Sequence, residues 1–321
     1  MKNYALGKLP ARPGAVSLKF GSYFNAVALP TPPLVFGHES IGQDWGLFCN
    51  DRFGDCVWAG AAHEAMIWSH EGGRTVAFSD QGVLSDYSAV TGFVPANPMT
   101  DQGTDMAVAA AYRRNTGIVD VKGVRHKIDS YTALSAGDVD QLVLAAYLTG
   151  AVGVGLRLPA SAEDQFDAGE PWTVVPGDEI DGGHYVCCLG RNSRGNLLVV
   201  TWGRIHAMTP QFYQTYCDEA VAYLSLEPLK NNLSPEGFNI DQLRADLAAI
   251  AAQHKGAAMT EAIEGQAVDQ GEIDAVFAAI KNLADEKVPG WERGMISDDL
   301  LREVSAAAVT ASVQYRTAKS I

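Results

Sequence analysis

A cysteine stands where an irregular loop turns into a helical pattern. The stretch CNDRFGDCVWAGAAHEAMIW (49–68) places Cys56 directly after Gly54-Asp55 and before apolar residues spaced every three to four positions. Backbone amides at a helix N-terminus carry partial positive charge, which stabilises a thiolate. The position therefore predicts a nucleophilic thiol with a lowered pKa. The alternative is a small buried hydrophobe, the commoner fate of a lone cysteine.

A nucleophilic thiol needs a partner that takes up its proton and later returns one to a leaving amine. Histidine is the side chain best suited to that exchange near neutral pH. His184 is the best candidate among seven, because in DGGHYVCCLG it follows two glycines and opens a strand pattern. His63 lies on about the same helix face as Cys56, and we interpret it as a helix histidine held by hydrogen bonds.

The elements around these residues follow an order of helices first and strands afterwards. Helical spacing covers three segments, and strand-like alternation begins at residue 151. This order predicts an α+β fold with a mainly antiparallel sheet, because alternating βαβ units are absent. The predicted helices are 55–70, 100–118 and 135–150, and the predicted strands are 151–158, 184–191, 196–203 and 219–226. Thr104 or Asp105 is expected to cap the second helix, and RNSRGN is a hairpin-turn signal.

Two regions are predicted along the chain, with a boundary near residue 230. Residues 1–230 form the α+β domain, preceded by an extended arm rich in proline and glycine. Residues 231–321 form an alanine-rich helical extension with eight basic and fourteen acidic residues, a net charge of 8 − 14 = −6. We expect this extension to mediate self-assembly or to bind a protein partner. The alternative is that it folds back on the first domain.

Composition excludes several classes of partner. The net charge of −14 argues against a nucleic-acid surface, and no run of eighteen apolar residues could span a membrane. The N-terminal sequence has no apolar core of secretory length, so we expect no signal peptide. The expected location is the cytoplasm of the producing cell, or the virion if the protein is phage-encoded. Five cysteines without a C-x-x-C pair fit neither a disulfide framework nor a zinc site. No metal and no cofactor are expected.

Several stretches, in the same order over about 180 residues, resemble the papain-like cysteine peptidase superfamily. The spacing of 184 − 56 = 128 residues between Cys56 and His184 is close to the roughly 130–150 of that family. The stretches that resemble the family are NDRFGDC, VLSDYS, DQGTDMAVAAAYRRNTGI, LTGAVGVGL, GGHYVCCLG and VTWG. The sequence also resembles a group of bacterial and phage-encoded proteins that carry NDRxGDC and TWG motifs.

The resemblance implies a papain-like fold and a role for each matching residue. Cys56 would attack a carbonyl carbon, and His184 would act first as base and then as acid. Asn50, six residues before Cys56, stands where the family has the glutamine of the oxyanion hole. The residues that the resemblance assigns to the substrate site are Gly103, Asp105 and Trp202. Asp101 and Asp105 could select basic groups, although solvated loop acids are the simpler interpretation.

The sequence departs from the family at three places that bear on catalysis. Asn50 is one methylene shorter than the family's glutamine, and Val57 follows the cysteine where the family has an aromatic residue. Val200 stands where the family's asparagine orients the histidine. A valine cannot hydrogen-bond an imidazole, so that role is vacant or is taken by Thr201 or by a residue elsewhere. Alternation along a strand allows only one of Val200 and Thr201 to face the histidine. No inhibitory pro-segment of family length is evident ahead of Cys56.

These features predict a cysteine peptidase or a related thiol-dependent amide hydrolase that acts on a peptide or protein. The competing hypothesis is a papain-fold structural or binding protein with weak or no turnover, such as a phage virion component. The missing asparagine favours this second hypothesis, and the retained set of Asn50, Gly54, Cys56 and His184 favours the first.

Overall fold

The computed structural model describes residues 4–21, 31–37 and 44–227, and within them the predicted α+β fold is confirmed. The predicted boundary near residue 230 and the helical extension 231–321 lie outside the described residues. The helices are α1 (Cys56–Glu71), α2 (Asp80–Thr91), α3 (Met106–Asn115), α4 (Val139–Thr149), α5 (Ser161–Ala168) and α6 (Pro210–Tyr216). The strands are β1 (Phe36–Gly37), β2 (Ile118–Val119), β3 (Arg125–His126), β4 (Ser130–Leu134), β5 (Val152–Pro159), β6 (Ile180–Arg191), β7 (Leu197–Thr201), β8 (Arg204–Met208) and β9 (Cys217–Leu224).

The sheet is antiparallel and carries the candidate histidine on its long strand β6. Its strands lie in the order β4-β9-β5-β6-β7-β8, and β1 pairs with the far end of β6. Strands β5 and β9 are thus neighbours although they are far apart in sequence. Strands β2 and β3 form a separate hairpin.

Helix α1 is the central helix of the core, packed between the sheet and the helices α2 and α3. Its residues from Cys56 to Ser69 are all buried. Gly60 faces the ring of Tyr185 on β6, and a β-carbon at residue 60 would lie 2.3 Å from that ring. The missing side chain lets the helix approach the sheet closely, which brings the start of α1 to the start of the histidine strand.

Most sequence-predicted elements are confirmed, although the helix predicted over 100–118 is shorter, Met106–Asn115, and one strand was predicted too long. Asp105 caps α3, since its carboxylate accepts a hydrogen bond from the Val108 N–H at 3.0 Å. The predicted strand 196–203 ends at Thr201, because Trp202 and Gly203 have φ angles of 42° and 76° and form a two-residue turn between β7 and β8. Helices α2, α5 and α6 and strands β2, β3, β4 and β8 were not among the predicted elements.

A buried ion pair joins α1, α3 and β6 behind the candidate site. Glu64 accepts hydrogen bonds from the Arg113 guanidinium and from the Tyr185 hydroxyl. Both charged side chains are almost fully buried, and the guanidinium lies 4.1 Å from the centre of the Tyr223 ring. Because neither charge reaches water, each depends on the other.

We expect Glu64→Ala to lower the free energy of unfolding by about 3–5 kcal/mol, because it leaves the Arg113 charge buried without its partner. The double change Glu64→Leu/Arg113→Leu should cost clearly less than Glu64→Ala. Urea unfolding followed by circular dichroism measures both, with exposed Glu170→Ala as the matched control near zero. A single-variant cost below about 1 kcal/mol would contradict a paired buried charge.

Candidate active site

The loop before α1 places Asn50 beside Cys56. Phe48 and Cys49 both have positive φ angles, and backbone hydrogen bonds from Arg52 and Phe53 to the Cys49 carbonyl close the loop. The Gly54 N–H donates to the Asp101 carboxylate at 3.0 Å, which fixes the end of the loop. The loop thus turns the Asn50 amide toward the start of α1.

Asp101 differs from its sequence-based interpretation. It is not a solvated loop acid, because it holds the Gly54 N–H and accepts a hydrogen bond from the Tyr87 hydroxyl at 2.5 Å.

Asp55 stands at the N-cap position of α1, but its carboxylate makes no cap hydrogen bond. It is fully buried, and burial raises its pKa well above the ordinary value.

Strand register places Thr201, and not Val200, on the face of His184. Cys187 pairs with Val200 across β6 and β7, so the next residue on β7 shares the face of His184 and Val186. The Thr201 hydroxyl lies 2.8 Å from His184 Nε2, while Val200 is buried in the core beneath the sheet. A threonine hydroxyl can both donate and accept, so it holds the ring in place without fixing its tautomer.

The turn after β7 lays Trp202 against the histidine ring. The two rings are stacked with centroids 4.7 Å apart and planes 25° from parallel. Both side chains are buried, with His184 only 1% exposed. The indole thus covers one face of the imidazole.

The structure brings Cys56 next to the His184 strand without a hydrogen bond between the two side chains. The backbone N–H groups of Tyr185 and Gly7 point to the Cys56 sulfur. His184 Nδ1 has no hydrogen-bond partner among the described residues. Burial raises the pKa of the thiol to about 12 and lowers the pKa of the imidazole to about 3. The expected lowered thiol pKa is therefore wrong for this closed form, because loss of water outweighs the helix N-terminus.

The chain's own N-terminal residues fill the groove in front of Cys56. Residues Tyr4–Leu9, which we call the occluding segment, run between the Asn50 loop, the Gly103 loop and the start of β6. The approach is closest at Gly7, where a β-carbon would lie 1.9 Å from the Gly54 carbonyl oxygen. A side chain at residue 7 would not fit, so glycine is required there.

The occluding segment is held by the same groups that the sequence assigned to the site. Asn50 Nδ2 donates to the Ala5 carbonyl oxygen at 3.2 Å, and the Ala5 N–H donates to the Asn50 carbonyl at 3.1 Å. The Tyr4 ring stacks on Trp202 with centroids 4.3 Å apart. The Lys8 N–H donates to the Gly183 carbonyl at 3.0 Å, immediately before His184.

The peptide groups nearest the thiol are not oriented for attack. Gly7 presents its N–H to the Cys56 sulfur, and its carbonyl accepts from the Thr104 N–H at 2.7 Å. Lys8 and Thr104 pair in parallel. Attack by a thiolate requires a carbonyl carbon at the sulfur with its oxygen at the oxyanion donors. The segment therefore fills the groove without offering the bond at Gly7 for cleavage.

The remaining predicted substrate residues contact the N-terminal arm. Gly103 has a φ of +71°, and a β-carbon there would lie 2.1 Å from the Gly7 carbonyl oxygen. Asp105 pairs with Arg12 of the arm, which lowers the pKa of its carboxyl group. Both residues contact the N-terminal arm, so the chain itself fills the space in front of them.

The five cysteines are all unpaired, and no group of three or more metal-binding side chains occurs in the part of the chain that the structure describes. A pocket of about 460 Å³ is lined by residues that include Cys49, Arg52 and Asp80, and Cys56 is not among its lining residues. The groove at Cys56 is filled by the occluding segment.

Among the described residues, no helix has the length and apolar character needed to cross a membrane.

Sequence reasoning missed the residues of the arm and the acids of β9. Lys8 lies in the groove with its ammonium near Asp218 and Glu219. A short glycine-lysine pair in an extended arm carries no sequence signal for a groove, since the contacts join residues more than 200 positions apart.

Comparison with known proteins supports the fold but not a catalytic activity, because the similar structures share only 14–15% sequence identity with this chain. No family model matches the chain, and no curated protein does. Xylellain, a cysteine protease from Xylella fastidiosa, superposes with a TM-score of 0.50 at 14% identity, over 70% of this chain and 97% of that one. The ragweed pollen cysteine protease Amb a 11 in its proform superposes with a TM-score of 0.50 at 15% identity, over 71% of each chain. The chain thus has the papain-like fold.

Proposed function

We propose that the chain is a papain-like cysteine peptidase, or a related thiol-dependent amide hydrolase, whose groove is closed by its own N-terminal segment. One observation carries the proposal: an extended stretch of peptide is already seated between Asn50, Cys56 and Gly183. A groove that hydrogen-bonds peptide backbone next to a thiol and an imidazole has the parts that amide hydrolysis needs.

Catalysis would begin once the occluding segment leaves the groove. Water or substrate then replaces apolar contacts around Cys56, and its proton can pass to His184 Nδ1, which has no partner in the closed form. The thiolate attacks the substrate carbonyl carbon, and the negative oxygen is held by the Asn50 amide and the Cys56 N–H. His184 returns the proton to the leaving amine, and water then hydrolyses the thioester.

Thr201 and Trp202 would serve this reaction by positioning the imidazole. Thr201 holds Nε2 at 2.8 Å, and the Trp202 ring covers one face of the histidine. If Nε2–H donates to the hydroxyl, Nδ1 keeps its lone pair toward the thiol. A hydroxyl stabilises an imidazolium less than an amide oxygen that can only accept, so we expect a slower enzyme than one with asparagine at that place.

A second function is favoured by the same threonine and by the absence of a bond between thiol and imidazole. A papain-fold binding or structural protein would keep the groove and bind peptide without turnover. In that case the occluding segment is simply the resident ligand, and its release exposes a binding site.

Turnover separates the two functions. The change Lys8→Glu places a third carboxylate beside Asp218 and Glu219, so it should release the occluding segment without altering Cys56, His184 or Asn50. We expect hydrolysis of fluorescently labelled unfolded casein by Lys8→Glu to be at least about tenfold faster than by the wild type, since the pocket contacts that hold the segment are lost. Gel analysis and fluorescence release measure the rate.

The control is Lys8→Glu/Cys56→Ala, which should show no hydrolysis. Cleavage that persists without the Cys56 thiol would refute the proposed mechanism. Absence of cleavage by a chain whose Cys56 has become reactive would favour the binding function.

A further inference from the structure

A buried lysine of the occluding segment ends on two carboxylates. Lys8 Nζ lies 2.6 Å from Asp218 Oδ1 and 3.1 Å from Glu219 Oε1. The lysine side chain is fully buried, while the two acids keep 17% and 18% of their surface exposed. A buried ammonium is stable only with charged partners, so these acids explain why a lysine lies inside the groove.

The Lys8 side chain occupies a narrow pocket that fits a long, positively charged side chain. Gly155 on β5 forms one wall, since a β-carbon there would lie 2.4 Å from Lys8 Cε and 2.9 Å from the Met106 sulfur. The Glu219 side chain lies equally close to that point, at 2.9 Å. The pocket therefore has apolar walls for a hydrocarbon stem and carboxylates at its end for the charge.

The pocket lies one residue along the groove from the thiol. Lys8 follows Gly7, whose N–H points to Cys56, and the Lys8 N–H donates to the Gly183 carbonyl at 3.0 Å. A side chain in this pocket thus belongs to the residue that follows Gly7, one position beyond the peptide group at the sulfur. Side chains so close to the reacting bond are well placed to set selectivity.

The pocket loses a positive charge when the occluding segment leaves, since Lys8 supplies the ammonium that faces Asp218 and Glu219. One ammonium now faces two carboxylates, and burial raises the pKa of Glu219, with Lys8 opposing that rise. Asp105 adds a further carboxylate nearby, which Arg12 of the same arm neutralises. Release of the occluding segment removes the Lys8 ammonium and leaves Asp218 and Glu219 without it, which favours a new cationic occupant.

We propose that the pocket of Asp218 and Glu219 selects a lysine or arginine side chain in the peptide that replaces the occluding segment. Lys8 is the resident occupant of this pocket. The inference rests on the proposed function in one respect, that the groove accepts a second peptide. The acids that the sequence suggested for such selectivity, Asp101 and Asp105, hold the Gly54 loop and Arg12 instead.

Peptide binding to an inert chain tests the selectivity without any turnover. The protein is the full-length chain with Lys8→Glu/Cys56→Ala, after iodoacetamide has shown that Cys56 is accessible in the Lys8→Glu parent. The probes are fluorescein-labelled, capped hexapeptides of sequence ALGKLP, which is residues 5–10, and the same peptide with arginine or norleucine in place of lysine. Fluorescence anisotropy gives each dissociation constant.

We expect the lysine and arginine peptides to bind at least about tenfold more tightly than the norleucine peptide, because only they complete a charge-assisted hydrogen bond. Adding Asp218→Asn/Glu219→Gln should abolish this difference, while exposed Asp164→Asn should preserve it. Equal binding of the three peptides, no binding of any, or a preference that survives loss of both acids would overturn the inference. Selective binding without casein hydrolysis would support the selectivity of the pocket and would contradict only the proposed peptidase activity.

Discussion

Gly7→Ala should raise the alkylation rate of Cys56 at pH 7 by up to roughly 10³-fold. A β-carbon at residue 7 would lie 1.9 Å from the Gly54 carbonyl, so the occluding segment must leave its position. Burial holds the thiol pKa at about 12 in the closed form, and each unit by which it falls toward about 8.5 increases the thiolate fraction tenfold. Iodoacetamide labelling followed by intact mass measures the rate.

Gly21→Ala is the matched control for this change. A β-carbon at residue 21 meets only the end of the Gln141 side chain at 3.5 Å, an ordinary contact. It introduces the same alanine into the same arm and should leave the alkylation rate unchanged. If Gly7→Ala and Gly21→Ala label at the same slow rate, the occluding segment does not control access to Cys56.

His184→Ala should slow the alkylation of an opened chain by about 10²-fold at pH 6. In the Lys8→Glu background, Cys56 is ionised at pH 6 only because the positive charge of the His184 imidazolium stabilises the thiolate. Without the imidazole the thiol returns to its usual pKa of about 8.5, and only about 0.3% is thiolate at pH 6. Stopped-flow or quenched labelling measures the two rates under identical conditions.

Thr201→Val gives a graded version of the same test. It keeps both reacting side chains and removes only the hydroxyl that lies 2.8 Å from Nε2. Its rate should fall between that of the opened parent and that of His184→Ala, because the ring loses its support but not its charge. A variant such as Val200→Thr on the opposite face of β7 should not restore the rate.

The fold was predictable where local pattern and tertiary structure agree. The helical spacing after Cys56 predicted α1, and the strand pattern of HYVCCLGR predicted β6. In both elements the apolar residues that repeat with the period of the helix or strand are the ones buried in the core. The strand at 196–203 was predicted too long, because a tryptophan with a positive φ gives no turn signal in the sequence. Trp202 adopts that conformation where its ring stacks on His184.

The identity of the candidate site residues was predictable from the sequence, but the burial of the Cys56 thiol was not. The sequence brought forward Asn50, Cys56, His184 and Thr201, and the structure places them around one groove. It could not reveal the buried thiol, because the segment that excludes water lies about fifty residues earlier and contains no recognisable motif. Nor could it single out Asp218 and Glu219, whose meaning depends on the Lys8 ammonium beside them.

The occluding segment is short for the number of contacts it makes. Its six residues reach Asn50, Gly54, Thr104 and Trp202. The contacts are mostly backbone hydrogen bonds, with one stacked ring and one buried lysine as anchors. Short segments held in this way can be displaced by changing either anchor, which is why single substitutions suffice as tests.

The pH dependence of Cys56 alkylation in the Lys8→Glu chain tests the central claim most directly. If Cys56 and His184 form a catalytic pair, the rate should rise with an apparent pKa well below about 8.5, and His184→Ala should move that midpoint back to about 8.5. Intact mass and peptide mapping must assign the label to Cys56 and not to Cys49. A midpoint near 8.5 in the opened chain, unchanged by His184→Ala, would contradict the pair and leave a peptide-binding groove without catalysis.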